Sequence, residues 1–182
     1  MEDISLHILD LVQNSIAAGA TLVEVFIREL PNEDHIWVQI RDNGRGMCEH
    51  QLSQVSNPFY TTRTTRKVGL GIPLFRASAE ASGGSLQIQS HRGKGTTLLA
   101  LFHSNHIDCL PIGKLEDTMA ALIFMNPEVN FVYRQEISGR QFQMDTREIR
   151  EILSEVNITD PDVIDWIKDY IKEGLEELNG GA

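Results

Sequence analysis

The sequence predicts an α/β two-layer sandwich with a small α+β C-terminal extension. Three observations predict it. Over residues 3–102 the apolar pattern runs helix, strand, strand, helix, strand, strand. Each strand pair is separated only by a short turn, so its members are antiparallel neighbours and the two helices cover one face of a sheet of at least four strands. After residue 103 the order changes to helix, hairpin and two helices, which divides the chain into residues 1–103 and an extension of residues 104–182.

Composition narrows the function. A chain of 182 residues with 41% apolar and 23% charged residues is ordinary for a globular protein with one good core. A formal charge of -10 argues against a nucleic-acid or anionic-membrane partner, since both require a dense positive surface. The first residues, Met1-Glu2-Asp3-Ile4, lack the basic and apolar regions of a leader, and no apolar run reaches membrane-spanning length, which predicts a cytoplasmic protein. Cys48 and Cys109 stand far apart without histidine partners, so they are expected to be reduced thiols rather than a disulfide or zinc ligands.

Residues 3–18 carry apolar side chains at helical spacing (Ile4, Ile8, Leu11; Leu9, Val12, Ile16) and stop at Gly19. Asp10, Asn14 and Ala18 follow one another four residues apart on the other side of this helix. Aligned oxygens of this kind hold a hydrated Mg²⁺ or orient a water, because magnesium takes oxygen ligands and keeps several waters. A solvated polar face shows the same pattern, and the helix alone leaves both readings open.

Residues 21–30 and 35–42 alternate as strands around the turn Pro31-Asn32-Glu33-Asp34 and form a hairpin that delivers Asp42 at its end. There the run Arg-Asp-Asn-Gly-Arg-Gly-Met begins. Gly44 and Gly46 let a ligand approach the backbone, and Asp42 can accept a hydrogen bond from an amino group such as that of adenine. As a bare pattern this is first a turn.

A short helix is expected up to residue 55, followed by residues 56–68, which have no periodicity but hold four threonines with Arg63, Arg66 and Lys67. A hydroxyl-rich, locally basic stretch in an acidic protein suits either a phosphate-facing lid or a surface loop. Gly69-Leu70-Gly71 then opens a helix that accepts Pro73 in its first turn and runs to about residue 82. Glycines at a helix N-terminus expose backbone N–H groups in a positive field, which suits a phosphate chain. Strands 85–90 and 96–102 flank the turn His91-Arg92-Gly93-Lys94-Gly95, and Thr96 follows it with a hydroxyl available to a ligand.

In the extension, residues 103–111 form a connector and 114–125 a helix. Residues 129–137 and 140–145 make a hairpin turning at Ser138-Gly139, and helices are expected over 146–156 and from the cap Asp160-Pro161 to about 178. No catalytic constellation is visible there. Such a tail can pack on the preceding layer, form a homodimer or bind a partner protein.

Four motifs in one order, D-x-x-x-N on a helix, D-N-G-R-G after a strand, N-P-F-Y-T-T-R and G-L-G at a helix start, resemble the GHKL ATPase superfamily of gyrase, heat-shock chaperones, histidine kinases and MutL. Residues 9–21 look most like the MutL form of the first box, whereas N-P-F-Y-T-T-R through G-L-G-I-P-L to G-K-G-T looks like the histidine-kinase catalytic domain. The resemblance implies the Bergerat-type ATP-binding fold with ATP and Mg²⁺ as cofactors. It implies that Asn14 coordinates Mg²⁺ on the phosphates and Asp42 reads the adenine amino group. Gly44 and Gly46 then shape the base pocket, Gly69, Leu70 and Gly71 line the phosphates, and Thr96 lies beside the base. Phe59 is the lid aromatic, and Arg63, Arg66 and Lys67 are candidates to neutralise the γ-phosphate.

Asp10 occupies the position where hydrolytic members carry a glutamate general base. An aspartate is one methylene shorter, which predicts slow hydrolysis. No segment for a phosphoacceptor histidine precedes the first box, so a self-contained sensor kinase is not expected. The expected function is an ATP-dependent conformational switch engaging a protein partner. Its rivals are a protein kinase acting in trans, of the histidine-kinase or anti-sigma serine-kinase type, and a nucleotide sensor that does not hydrolyse.

Overall fold

The computed structural model of the protein describes residues 3–56 and 70–180. The expectations placed on Phe59, Arg63, Arg66, Lys67 and Gly69, and with them the phosphate-facing lid, lie outside the described residues.

Helix α1 (Ile4–Ala17) begins where the Asp3 carboxylate accepts the Leu6 N–H at 2.9 Å. Ile4, Ile8 and Val12 on its inner side are completely buried. Its first free amides are satisfied from a distance: Ile4 N–H donates to the Pro111 carbonyl at 2.9 Å and Ser5 N–H to that of Ile112 at 2.8 Å. The connector of the C-terminal extension therefore caps the first helix. Gly113 sits in the left-handed region, φ 84°, with the Asp3 carboxylate where a Cβ would project, 2.4 Å away.

Strands β1 (Leu22–Leu30) and β2 (His35–Asp42) pair antiparallel, with Val23 opposite Asp42. A 3₁₀ turn, Pro31–Glu33, and a left-handed Asp34 at φ 55° join them. Val23, Val25 and Ile27 face Val38 and Ile40 in the core, at 0–1% exposure, while the alternate residues Phe26 and Trp37 are half-buried on the opposite face. After α2 (Glu49–Ser56) and α3 (Gly71–Ala81) come β3 (Ser85–His91) and β4 (Gly95–His103). β4 lies antiparallel between β2 and β3 and brings Thr96 opposite Asp42.

The extension supplies α4 (Leu115–Met125), β5 (Asn130–Ile137), β6 (Arg140–Asp145), α5 (Thr146–Leu153) and α6 (Pro161–Gly180). Its hairpin continues the same sheet. The strand order is β3-β4-β2-β1-β5-β6, with β5 parallel to β1 and the rest antiparallel. Phe131 and Tyr133 of β5, Leu122 of α4 and Ile167 of α6 join Val25, Leu11 and Phe75 in one apolar cluster, so the helices share the face of a six-stranded sheet. Lys168 on α6 binds Asp117 on α4 at 2.5 Å.

Helix α5 stops at Leu153, short of the residue 156 expected from its apolar spacing. Ser154 takes φ 56°, and Val156 stays 52% exposed. At the start of α5 the Asp145 carboxylate accepts the Arg147 N–H at 2.9 Å and the Arg147 guanidinium at 2.6 Å. The side-chain bond to Arg147 outweighs partial burial and holds the Asp145 carboxyl below the usual range.

Candidate functional site

Asp42 ends β2 with both carboxylate oxygens engaged. Oδ2 accepts the Ser15 hydroxyl from α1 at 2.7 Å, and Oδ1 accepts the Gly44 N–H at 2.9 Å and the Thr96 N–H at 3.3 Å. The side chain is 8% exposed and Ser15 is 5% exposed. Fixed on three sides by donors, the carboxylate can use its open lone-pair direction only as an acceptor toward a further donor.

The glycines shape the ground in front of it by close approach. At Gly46, φ 64°, a Cβ would meet the His91 carbonyl oxygen at 2.0 Å. At Gly95, φ 98°, one would meet the Asp42 carbonyl oxygen at 1.9 Å. Both positions therefore admit only glycine without displacing backbone. At Gly44 a Cβ would lie 3.0 Å from both the Ala18 carbonyl oxygen and Asp42 Oδ1. The turn is tied down by Arg45 N–H to the Ala18 carbonyl (2.9 Å), Gly93 N–H to the Arg45 carbonyl (2.7 Å) and Met47 N–H to Ser90 Oγ (2.8 Å). Asn43 clasps the start of β1, accepting the Thr21 and Leu22 N–H groups at 2.9 and 3.0 Å. The Thr96 hydroxyl is 2.8 Å from Ser90 Oγ.

The second half of the site is the seam between α1 and α3. Gly71, the first residue of α3, is buried against α1: a Cβ there would lie 3.4 Å from Asn14 Nδ2, 3.5 Å from Asp10 Cβ and 3.8 Å from Leu11 Cδ2. Asp10 is exposed and Asn14 half-buried, one turn apart. Leu70, the N-cap of α3, is 64% exposed. The N-terminus of α3 thus abuts α1 beside Asp10 and Asn14, and helix N-termini favour anions. Because Asn14 and Ser15 are consecutive, α1 connects this seam to Asp42 directly.

The structure therefore brings Asp42, Gly44, Gly46 and Thr96 together at one end, and Asp10, Asn14, Leu70 and Gly71 at the other. Among the described residues no three His, Cys, Asp or Glu gather to hold a metal by themselves. A half-buried carboxamide beside a helix N-terminus does fit a cation whose remaining ligands are phosphate oxygens and water.

Sequence reasoning missed Ser15, Ser90 and Gly95. The signal for the serines was present. Ser15 continues the buried row Ile8, Leu11 and Val12, and Ser90 continues the inward alternation Leu86, Ile88. A small hydroxyl where the pattern demands an apolar residue implies a buried polar partner.

The matching family model is that of histidine kinase-, DNA gyrase B- and HSP90-like ATPases, over residues 2–105. Sporulation kinase E of Bacillus subtilis (strain 168) is 30% identical over 89 residues, which are 48% of this chain and 12% of that protein. Sporulation kinase C of the same organism is 31% identical over 88 residues, 48% of this chain and 20% of the kinase. The alignments thus span only a fifth or less of these kinases' own length. In fold, the Aquifex aeolicus MutL ATPase domain complexed with ADP matches at TM-score 0.50 and 16% identity, covering 84% of this chain and 69% of that one. A crystal structure of the N-terminal domain of a DNA repair protein matches at TM-score 0.55 and 15% identity, covering 87% and 59%. The fold likeness reaches well past residue 105, into the C-terminal strands and helices. By the model that matches more than half its length, the chain belongs to the histidine kinase-, DNA gyrase B- and HSP90-like (GHKL) ATPase family.

Proposed function

We propose that the chain binds Mg-ATP and acts as an ATP-dependent conformational switch with slow hydrolysis. The observation that carries this reading is the Asp42 carboxylate, buried and held by Ser15, Gly44 and Thr96 so that it offers an acceptor and nothing else. That group suits the exocyclic amine of adenine and opposes the carbonyl of guanine. The triphosphate would run from there along α1 to the N-terminus of α3, where the Asn14 carboxamide oxygen would supply one ligand to Mg²⁺. Bound there, the cation would neutralise phosphate charge.

For hydrolysis, Asp10 takes a proton from a water as its oxygen attacks the γ-phosphorus and the bond to the ADP oxygen breaks. Asp10 is solvent-exposed one turn from Asn14, which suits this role. Asp10→Asn retains Mg-ATP affinity within a factor of about two and lowers phosphate release by roughly 10²-fold or more. Unchanged release in that variant would remove Asp10 as the base.

A kinase acting in trans is the second reading, favoured by the kinase relatives aligned over 48% of this chain. With γ-labelled ATP, label appearing on a protein of the same organism rather than as free phosphate would decide for it.

A further inference from the structure

Helix α6 carries an exposed feature that nucleotide binding does not use. The rings of Trp166 and Tyr170 stack with centroids 5.4 Å apart and planes 7° from parallel, yet they are 48% and 38% exposed. The pair is held in place from below. Phe142 of β6 packs on Tyr170 at 5.2 Å, and the Tyr170 hydroxyl reaches the Gln143 carbonyl at 3.5 Å. Gly174 leaves room for Phe142, since a Cβ there would lie 2.2 Å from its ring. Two large, flat, preorganised side chains in solvent have the character of an interface anchor.

On α6 itself the charge beside the pair has one sign. Helical spacing places Asp162, Asp169 and Glu173 at four before, three after and seven after Trp166, and Glu173 and Glu177 at three and seven after Tyr170; all four carboxylates are exposed. Lys168 and Lys172 stand two residues after each aromatic and so turn to another side of the helix, where Lys168 binds Asp117. Arg140 is engaged with the backbone carbonyls of Glu177 and Leu178, the latter at 2.6 Å.

We propose that this face of α6 docks a basic segment of a partner protein, with arginine or lysine side chains set between the carboxylates and over the aromatic rings. Cations seat on the faces of Trp and Tyr, and a single-sign rim raises the association rate of an oppositely charged partner. The same rim repels anionic polymers, and it opposes a second copy of this chain, whose identical face would meet carboxylate with carboxylate.

The test uses the full chain and a fluorescein-labelled heptapeptide, Ala-Arg-Arg-Leu-Arg-Arg-Ala, with Glu replacing Arg in a control peptide, followed by anisotropy. The basic peptide binds the wild type, and affinity falls at least tenfold in Trp166→Ala/Tyr170→Ala. It falls at least fivefold in Asp169→Asn/Glu173→Gln, whose exposed side chains leave the fold intact. Neutralising carboxylates elsewhere, in Glu49→Gln/Glu128→Gln, leaves affinity within twofold. Equal loss from those remote changes, no loss from either local pair, no binding at millimolar peptide, or equal binding of the acidic peptide would overturn the proposal. So would a concentration-dependent dimer, seen by sedimentation, that Trp166→Ala abolishes.

Discussion

Asp42→Asn weakens Mg-ATP binding by about 2 kcal/mol, roughly thirtyfold, because it replaces a charged acceptor with a carboxamide in a buried position. Three donors meet this carboxylate in the protein: the Ser15 hydroxyl, the Gly44 N–H and the Thr96 N–H. An asparagine can serve the Gly44 and Thr96 N–H groups through its oxygen and donate to the Ser15 hydroxyl, but its amide then faces the ligand amine, donor against donor, and that contact is lost. Ser15→Ala produces a smaller effect in the same direction, about 1 kcal/mol, by freeing Oδ2 to rotate. Titration of ATP and of the purine triphosphate that lacks the 6-amino group separates the causes. Both variants lose more affinity for ATP than for the analogue, whereas equal losses for the two nucleotides would show that Asp42 does not read the amine.

Gly95→Ala lowers stability by about 3 kcal/mol in urea unfolding and abolishes measurable nucleotide binding. The added methyl must be accommodated 1.9 Å from the Asp42 carbonyl oxygen while φ stays near 98°. The only relief is separation of the start of β4 from the end of β2. That movement withdraws the Thr96 N–H from Asp42 and breaks the pocket floor as well as the sheet. A folded, ATP-binding Gly95→Ala protein would show that this approach is not required.

Particular residues show what the sequence made legible. The helix of residues 4–17, the hairpin ending at Asp42 and the closing strands follow from periods of 3.6 and 2 and from Pro31, Gly19 and Gly83, which are local signals. Their boundaries shift by about a residue, as with the Asp3 cap at the start of α1, whereas α5 ends three residues early at the positive-φ Ser154. The parallel pairing of β5 with β1 was not legible, because the register linking Val25 to Tyr133 is set by packing of α4 and α6 on the shared face. Nor was the capping of α1 by the Pro111 and Ile112 carbonyls, a contact between segments more than a hundred residues apart. In the site, the residue types with distinctive chemistry, Asp10, Asn14 and Asp42, stood out. Ser15 and Ser90 stood out less: their places in inward-facing rows signal a buried polar partner, but which partner it is depends on the fold that brings Asp42 and Thr96 to them.

The central claim is that α1 and the end of β2 together hold Mg-ATP, and calorimetric titration of ATP into the wild type and Asn14→Ala, each with Mg²⁺ and with chelator, tests it most directly. The wild type binds ATP with an affinity that falls at least tenfold when Mg²⁺ is chelated, and Asn14→Ala binds weakly in both conditions with no Mg²⁺ dependence. A wild type that binds no ATP, or an Asn14→Ala protein with full Mg²⁺-dependent affinity, would contradict it.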